Sequence, residues 1–132
     1  MAIEIRIFSG SNLLEDFSKY SWELSKRVKA LSYSEYKIFA LNLCIEEIFD
    51  NAFRHGNKKD THKDIIVSYE ITQEYVDVSV QDKGKGFYPD KIPDPTLEKR
   101  LEIPEGRGIF LVRSYADEVF FEGNLVRFKV YR

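Results

Sequence analysis

The sequence predicts an α+β fold: a two-layer α/β sandwich, in which helices stack on one face of a mixed, mostly antiparallel sheet. Three observations carry this expectation. Two amphipathic helical segments follow one another between residues 13 and 55 with no strand between them. Two pairs of alternating or β-branched runs, 65–81 and 119–132, are each joined by a short polar turn, as in β-hairpins. A further alternation at residues 3–7 supplies one more strand.

Each element has its own local reason. Ile3, Ile5 and Ile7 alternate with Glu4 and Arg6, which predicts a strand with its isoleucines buried, ended by Ser9-Gly10-Ser11-Asn12. Asn12 or Ser11 can cap the first helix, whose apolar side is expected to include Leu13, Leu14, Phe17, Trp22, Leu24 and Val28. Ser34 caps the second helix, which should run to about His55 and stop at Gly56-Asn57. The polar stretch NKKDTHKD then leads into IIVSYEI and YVDVSVQ, a hairpin of two central strands. From Asp82 to Gly108 the chain holds four glycines and all four of its prolines, and a loop of that length in a compact domain is usually functional. A helix is expected to open directly after Gly106-Arg107-Gly108, followed by a hairpin turning at Gly123-Asn124.

At 132 residues the whole chain, 1–132, reads as one domain large enough to fold without staples. A net charge of −2 with both signs interspersed leaves no basic footprint, which argues against a nucleic-acid partner. No window reaches the ~20 apolar residues of a membrane span, and the N-terminus lacks a secretory pattern, so a cytoplasmic protein is expected. Cys44 is the one cysteine, excluding an internal disulfide; beside the apolar stripe of a helix it reads as a small buried hydrophobe rather than a nucleophile.

Three polar clusters remain. In CIEEIFDNAFRHG, Glu47, Asn51 and His55 stand four residues apart, a polar line on one helix. Asp82 ends a strand and is followed by Gly84 and Gly86, which allow positive φ and close backbone approach to a ligand, while the carboxylate can accept a hydrogen bond from an exocyclic amine. Gly106, Arg107 and Gly108 open a helix, where free N–H groups and a guanidinium favour phosphate. The Asn51 side-chain oxygen suits Mg²⁺, and Glu47 one turn earlier can polarise a water or hydroxyl. Singly, each cluster is compatible with plain turn chemistry or a solvated helix face. A phosphate-binding P-loop, a dinucleotide turn and a Cys/His zinc spacing are all missing.

Taken in order, E-x-x-x-N on a helix (Glu47, Asn51), D-x-G-x-G (Asp82, Gly84, Gly86), a lid and G-x-G at a helix start (Gly106, Gly108) resemble the N box and the two glycine boxes of the GHKL ATPase superfamily. DNAFRHGNK and DPTLEKRLEIPEGRGIFLVRSYADEV are similar to the bacterial anti-sigma factor serine/threonine kinases. The resemblance implies a Bergerat-type (histidine kinase-like ATPase) domain with an ATP lid at about 83–107. In it Asp82 would bind the adenine amino group, Asn51 would hold Mg²⁺ and Glu47 would be the general base. Gly84, Gly86, Gly106 and Gly108 would shape the ATP site, with His55 and Arg107 as phosphate neighbours. It further implies a homodimer that silences a sigma factor and phosphorylates a STAS-domain antagonist; the alternative is an ATP-gated binding module that transfers no phosphate. Asp50 departs from the pattern, which more often has a small or hydroxylic residue before Asn51.

Overall fold

The computed structural model describes residues 3–84 and 104–132. Along the chain run β1 (Glu4–Phe8), α1 (Leu13–Ala30), α2 (Glu35–Asn51), a π turn (Ala52–Gly56), β2 (Ile65–Ile71), β3 (Tyr75–Gln81), α3 (Pro104–Tyr115), β4 (Glu118–Glu122) and β5 (Leu125–Tyr131). The strands form one sheet in the order β1-β2-β3-β5-β4, antiparallel at every pairing. The α+β sandwich and the central position of β2 and β3 agree with the sequence reading, while the sheet, expected to be mixed, is antiparallel throughout the described strands.

Alternation along β2 and β3 sorts the residues: Ile65, Val67, Tyr69, Val76, Val78 and Val80 are buried against the helices. From α1 the stripe Leu13, Phe17, Tyr20, Leu24, Val28 meets them, and from α2 Leu41, Cys44, Ile45, Ile48 and Phe49. Phe49 stacks on Phe17 with ring centroids 3.8 Å apart, and Phe8 meets both rings edge-on. Cys44 lies fully inside, its thiol pushed up to about 12 by burial, which leaves it the inert packing residue expected. Ser34 caps α2 as expected, its Oγ accepting from Lys37 N–H at 3.1 Å, whereas Asn12 precedes α1 without a side-chain cap bond.

Four expectations need correction. The Ile3, Ile5, Ile7 face of β1 points away from the helices and is more than half exposed; Phe8 is what β1 gives to the core. The opposite face meets α1 through polar side chains: Glu4 bonds Arg27, and Arg6 lies over the Tyr20 ring. Leu14 and Trp22 fall off the buried stripe of α1 and are exposed, Trp22 carrying Lys26 over its ring at 4.2 Å. The second helix is not α-helical to His55, because its last turn widens into the π turn, closed by Asn57 N–H donating to the Ala52 carbonyl at 2.8 Å. Finally, α3 begins at Pro104, so Gly106-Arg107-Gly108 lies within the helix rather than before it. Gly86 and most of the expected lid lie outside the described residues, as does the Arg107 side chain.

Candidate functional site

Two features of α2 bring the polar residues to one edge of the sandwich. Its buried stripe fixes the helix roll, so Glu47 and Asn51, four residues apart, project together beside that stripe. Its C-terminal end points at the end of β3, where Asp82 leaves the sheet.

At the first of these places α3 closes on α2. Gly108 is buried, and a methyl group built there would lie 2.8 Å from Glu47 Oε2 and 3.5 and 3.7 Å from the Asn51 amide atoms. Glycine is thus what lets the α3 backbone come within contact of both polar side chains. Glu47 is half-buried, and its carboxyl is pushed up first by that burial and then by the charges of Asp50 and Glu46. Asp50 itself turns to Arg54 one turn on, with an N–O separation of 3.5 Å, so it acts on Glu47 through its field rather than by contact.

The second place is built around Asp82, 9% exposed. Its backbone is bonded in both directions to the β4–β5 turn: Asp82 N–H donates to the Asn124 carbonyl at 3.1 Å, and Asn124 Nδ2 donates to the Asp82 carbonyl at 2.7 Å. Oδ1 accepts from Gly84 N–H at 2.7 Å. Among the described residues Oδ2 accepts no hydrogen bond. Burial pushes this carboxyl above the usual aspartate range, and the Gly84 N–H partly offsets the rise.

Glycine again makes the geometry. A methyl on Gly56 would lie 2.1 Å from Asp82 Oδ2, and one on Gly84 would lie 2.5 Å from the Gly56 carbonyl oxygen. Gly84 therefore serves by close approach, as one of its two expected uses, but does not adopt positive φ. Nor does Gly56 end the helix by a left-handed turn; Lys58 and Lys59 do that, at φ of 56° and 63°. His55 is half-buried on the π turn, where the wider winding no longer continues the four-residue line of Glu47 and Asn51.

Asn57, next to Gly56, is fully buried and satisfied: Nδ2 donates to the carbonyls of Lys63 and Asp64, and Oδ1 accepts from Lys83 N–H at 2.7 Å. The sequence reading missed Gly56, Asn57 and Asn124 as site-building residues. A helix stop and a hairpin turn explained them fully. The one available signal was the order Gly123-Asn124, the reverse of the usual Asn-Gly, which puts the amide where it can reach Asp82.

Two oxygen-bearing side chains thus lie under the α3 glycine, and a buried carboxylate lies past the end of the helix that carries them. The family model described as "Histidine kinase-like ATPase domain" matches residues 19–130. The chain belongs to that family. Among characterised proteins it is similar to the serine-protein kinase RsbW of Oceanobacillus iheyensis and to that of Bacillus subtilis, each 25% identical over 104 residues. Both alignments cover 73% of this chain, and they cover 65% and 64% of the two kinases, just under two thirds of their length. Among the described residues, no helix is long and apolar enough to cross a membrane.

Proposed function

We propose that this histidine kinase-like ATPase domain is an ATP-dependent serine/threonine protein kinase that acts as an anti-sigma factor, with a STAS-domain antagonist as its protein substrate. The single observation that carries the reading is the contact of Gly108 with Glu47 and Asn51. It puts a helix backbone, an amide oxygen and a half-buried carboxylate around one point, while just past the C-terminal end of α2 Asp82 offers an acceptor that no described residue occupies.

In this reading Asp82 Oδ2 accepts the adenine amine. Asn51 would hold Mg²⁺ through its side-chain oxygen, and the donor set fits, because one hard amide oxygen leaves the remaining positions to phosphate and water. When bound, the ion neutralises charge developing on the transferred phosphoryl group. Glu47 accepts the proton of the incoming serine or threonine hydroxyl, and its burial raises its basicity toward that task. Gly84, Gly86, Gly106 and Gly108 would give the nucleotide room, with His55 and Arg107 as the proposed phosphate neighbours. Much of the rate then comes from positioning.

The same reading includes a homodimer and a cytoplasmic location. Ile3, Ile5 and Ile7 supply an apolar stripe along the β1 edge of the outer sheet face, of the kind a second copy would cover, with Leu14 and Trp22 as a separate exposed patch on α1. The decisive experiment replaces Glu47 with alanine and measures ADP binding beside phosphate transfer to a cognate STAS protein. Binding should persist and transfer should vanish; undiminished transfer would remove Glu47 from the chemistry. A wild-type protein that binds ATP and its partner but leaves the partner unlabelled would instead be an ATP-gated binding module.

A further inference from the structure

We propose that Gly56 is a positioning residue for the nucleobase end of the site, holding open the seat in which the Asp82 carboxylate lies. The inference rests on the adenine reading of Asp82 and deepens it. Three observations support the assignment. A side chain at 56 would collide with the carboxylate itself, at 2.1 Å from Oδ2, 2.2 Å from Cγ and 2.7 Å from Oδ1. The atom it would strike hardest, Oδ2, is the one that takes no hydrogen bond from the described residues. Gly56 also owes its place to the π turn, an uncommon winding found frequently at functional sites.

The surroundings leave Asp82 no easy way to yield. Asn124 fixes both its N–H and its carbonyl, Asn57 fixes the next peptide through Lys83 N–H, and Gly84 N–H holds Oδ1. With the backbone tied on both sides, a methyl group at 56 must rotate the carboxylate about its own side-chain bonds. That rotation moves Oδ2, the acceptor left for the exocyclic amine. Gly56 is therefore not a helix-stop glycine with incidental neighbours; its φ is not left-handed, and the turn is made two residues later.

The test compares affinities for ATP and inosine triphosphate, which carries a carbonyl in place of the 6-amino group. Wild type should prefer ATP. In Gly56→Ala the affinity for ATP should fall by about tenfold or more while that for inosine triphosphate changes little, so the preference collapses. Equal loss for both nucleotides, or an unchanged preference, overturns the positioning role. No preference in wild type would refute the adenine reading itself, and this inference with it, which keeps the two failures distinct. Should Gly56→Ala fold poorly, Tm decides: in an Asp82→Ala background, where the carboxylate is gone, Gly56→Ala should be tolerated far better than in wild type. The same loss of Tm in both backgrounds would overturn the seat.

Discussion

Replacing Gly108 by alanine should make the protein more stable and the proposed phosphate transfer slower. Glycine inside a helix costs about 1 kcal/mol relative to alanine, so the substitution should raise Tm by a few degrees in a domain of this size, provided the new methyl group is absorbed. It would lie 2.8 Å from Glu47 Oε2, against ordinary contact at 3.4 Å and beyond, and the Asn51 atoms at 3.5 and 3.7 Å can stay where they are. The tip of Glu47 must therefore move by roughly 0.6 Å, and since misplacing a reacting group by about 1 Å can cost on the order of a hundredfold, a loss of about tenfold in rate is expected. Single-turnover transfer from labelled ATP to a STAS substrate measures the rate, and differential scanning fluorimetry measures Tm. ADP affinity is measured beside them, because Gly108 also borders the proposed nucleotide site, and the Asp82 end should be untouched. An unchanged transfer rate would refute the argument that Gly108 exists to make room for Glu47; a fall in Tm of several degrees would show that the collision is not absorbed by that side chain.

Other expectations follow from the same geometry. Asp82 and Glu47 have carboxyls raised in the folded state, so their contribution to stability is fully present below the unfolded values of 3.8 and 4.5 and is lost as pH rises through the folded ones. Asp82→Asn should accordingly be at least as stable as wild type at pH 7, with the advantage shrinking as pH falls; an advantage that grows in acid contradicts the burial argument. Nucleotide affinity, read by isothermal titration calorimetry, should weaken in wild type as Asp82 takes up its proton and stay flat in Asp82→Asn. Phe49→Ala removes the ring stacked on Phe17 and should cost about 3–5 kcal/mol in urea unfolding; a loss under about 1 kcal/mol would mean the cavity collapses. If a second copy covers the outer sheet face, Ile5→Lys should shift sedimentation toward the monomer without altering far-UV circular dichroism, since Ile5 is 62% exposed in the single chain. A variant that stays dimeric places the interface elsewhere.

The elements were legible in the sequence because their signals are local. Hairpin turns, the Ser34 cap and the 3.6-residue stripe of α2 each depend on a few neighbouring residues. What failed was direction. Alternation along Ile3, Ile5 and Ile7 states that the two faces of β1 differ, but the side that meets α1 is decided by strand register with Ser68 and Ile66, a long-range fact. The same holds for Trp22, whose bulk favoured burial while its helical angle did not. In the site, Glu47 and Asn51 were readable as a pair from spacing alone, and Asp82 from its place after a strand. Gly56 and Asn57 were hidden because local turn chemistry gave them a sufficient explanation, and nothing local announces a π turn. Gly106-Arg107-Gly108 was placed before the helix, whereas Pro104, whose fixed φ suits a first helical position, starts it.

The pairing of β3 with β5 has a consequence for assembly. Seven rungs join Tyr75–Gln81 to Leu125–Tyr131, strands some fifty residues apart, whereas β2–β3 and β4–β5 each close across a short turn. By contact order the two hairpins should close before the seam between them, whose partners lie far apart in the sequence. Glu47, Asn51 and Asp82 lie on the N-terminal side of that seam, Gly108 and Asn124 on the other. Folding and the completion of the site are thus one event: a chain cleaved between residues 84 and 104 would have its nucleotide-binding groups divided between two pieces, and recovery of binding on mixing would report the seam zipping shut.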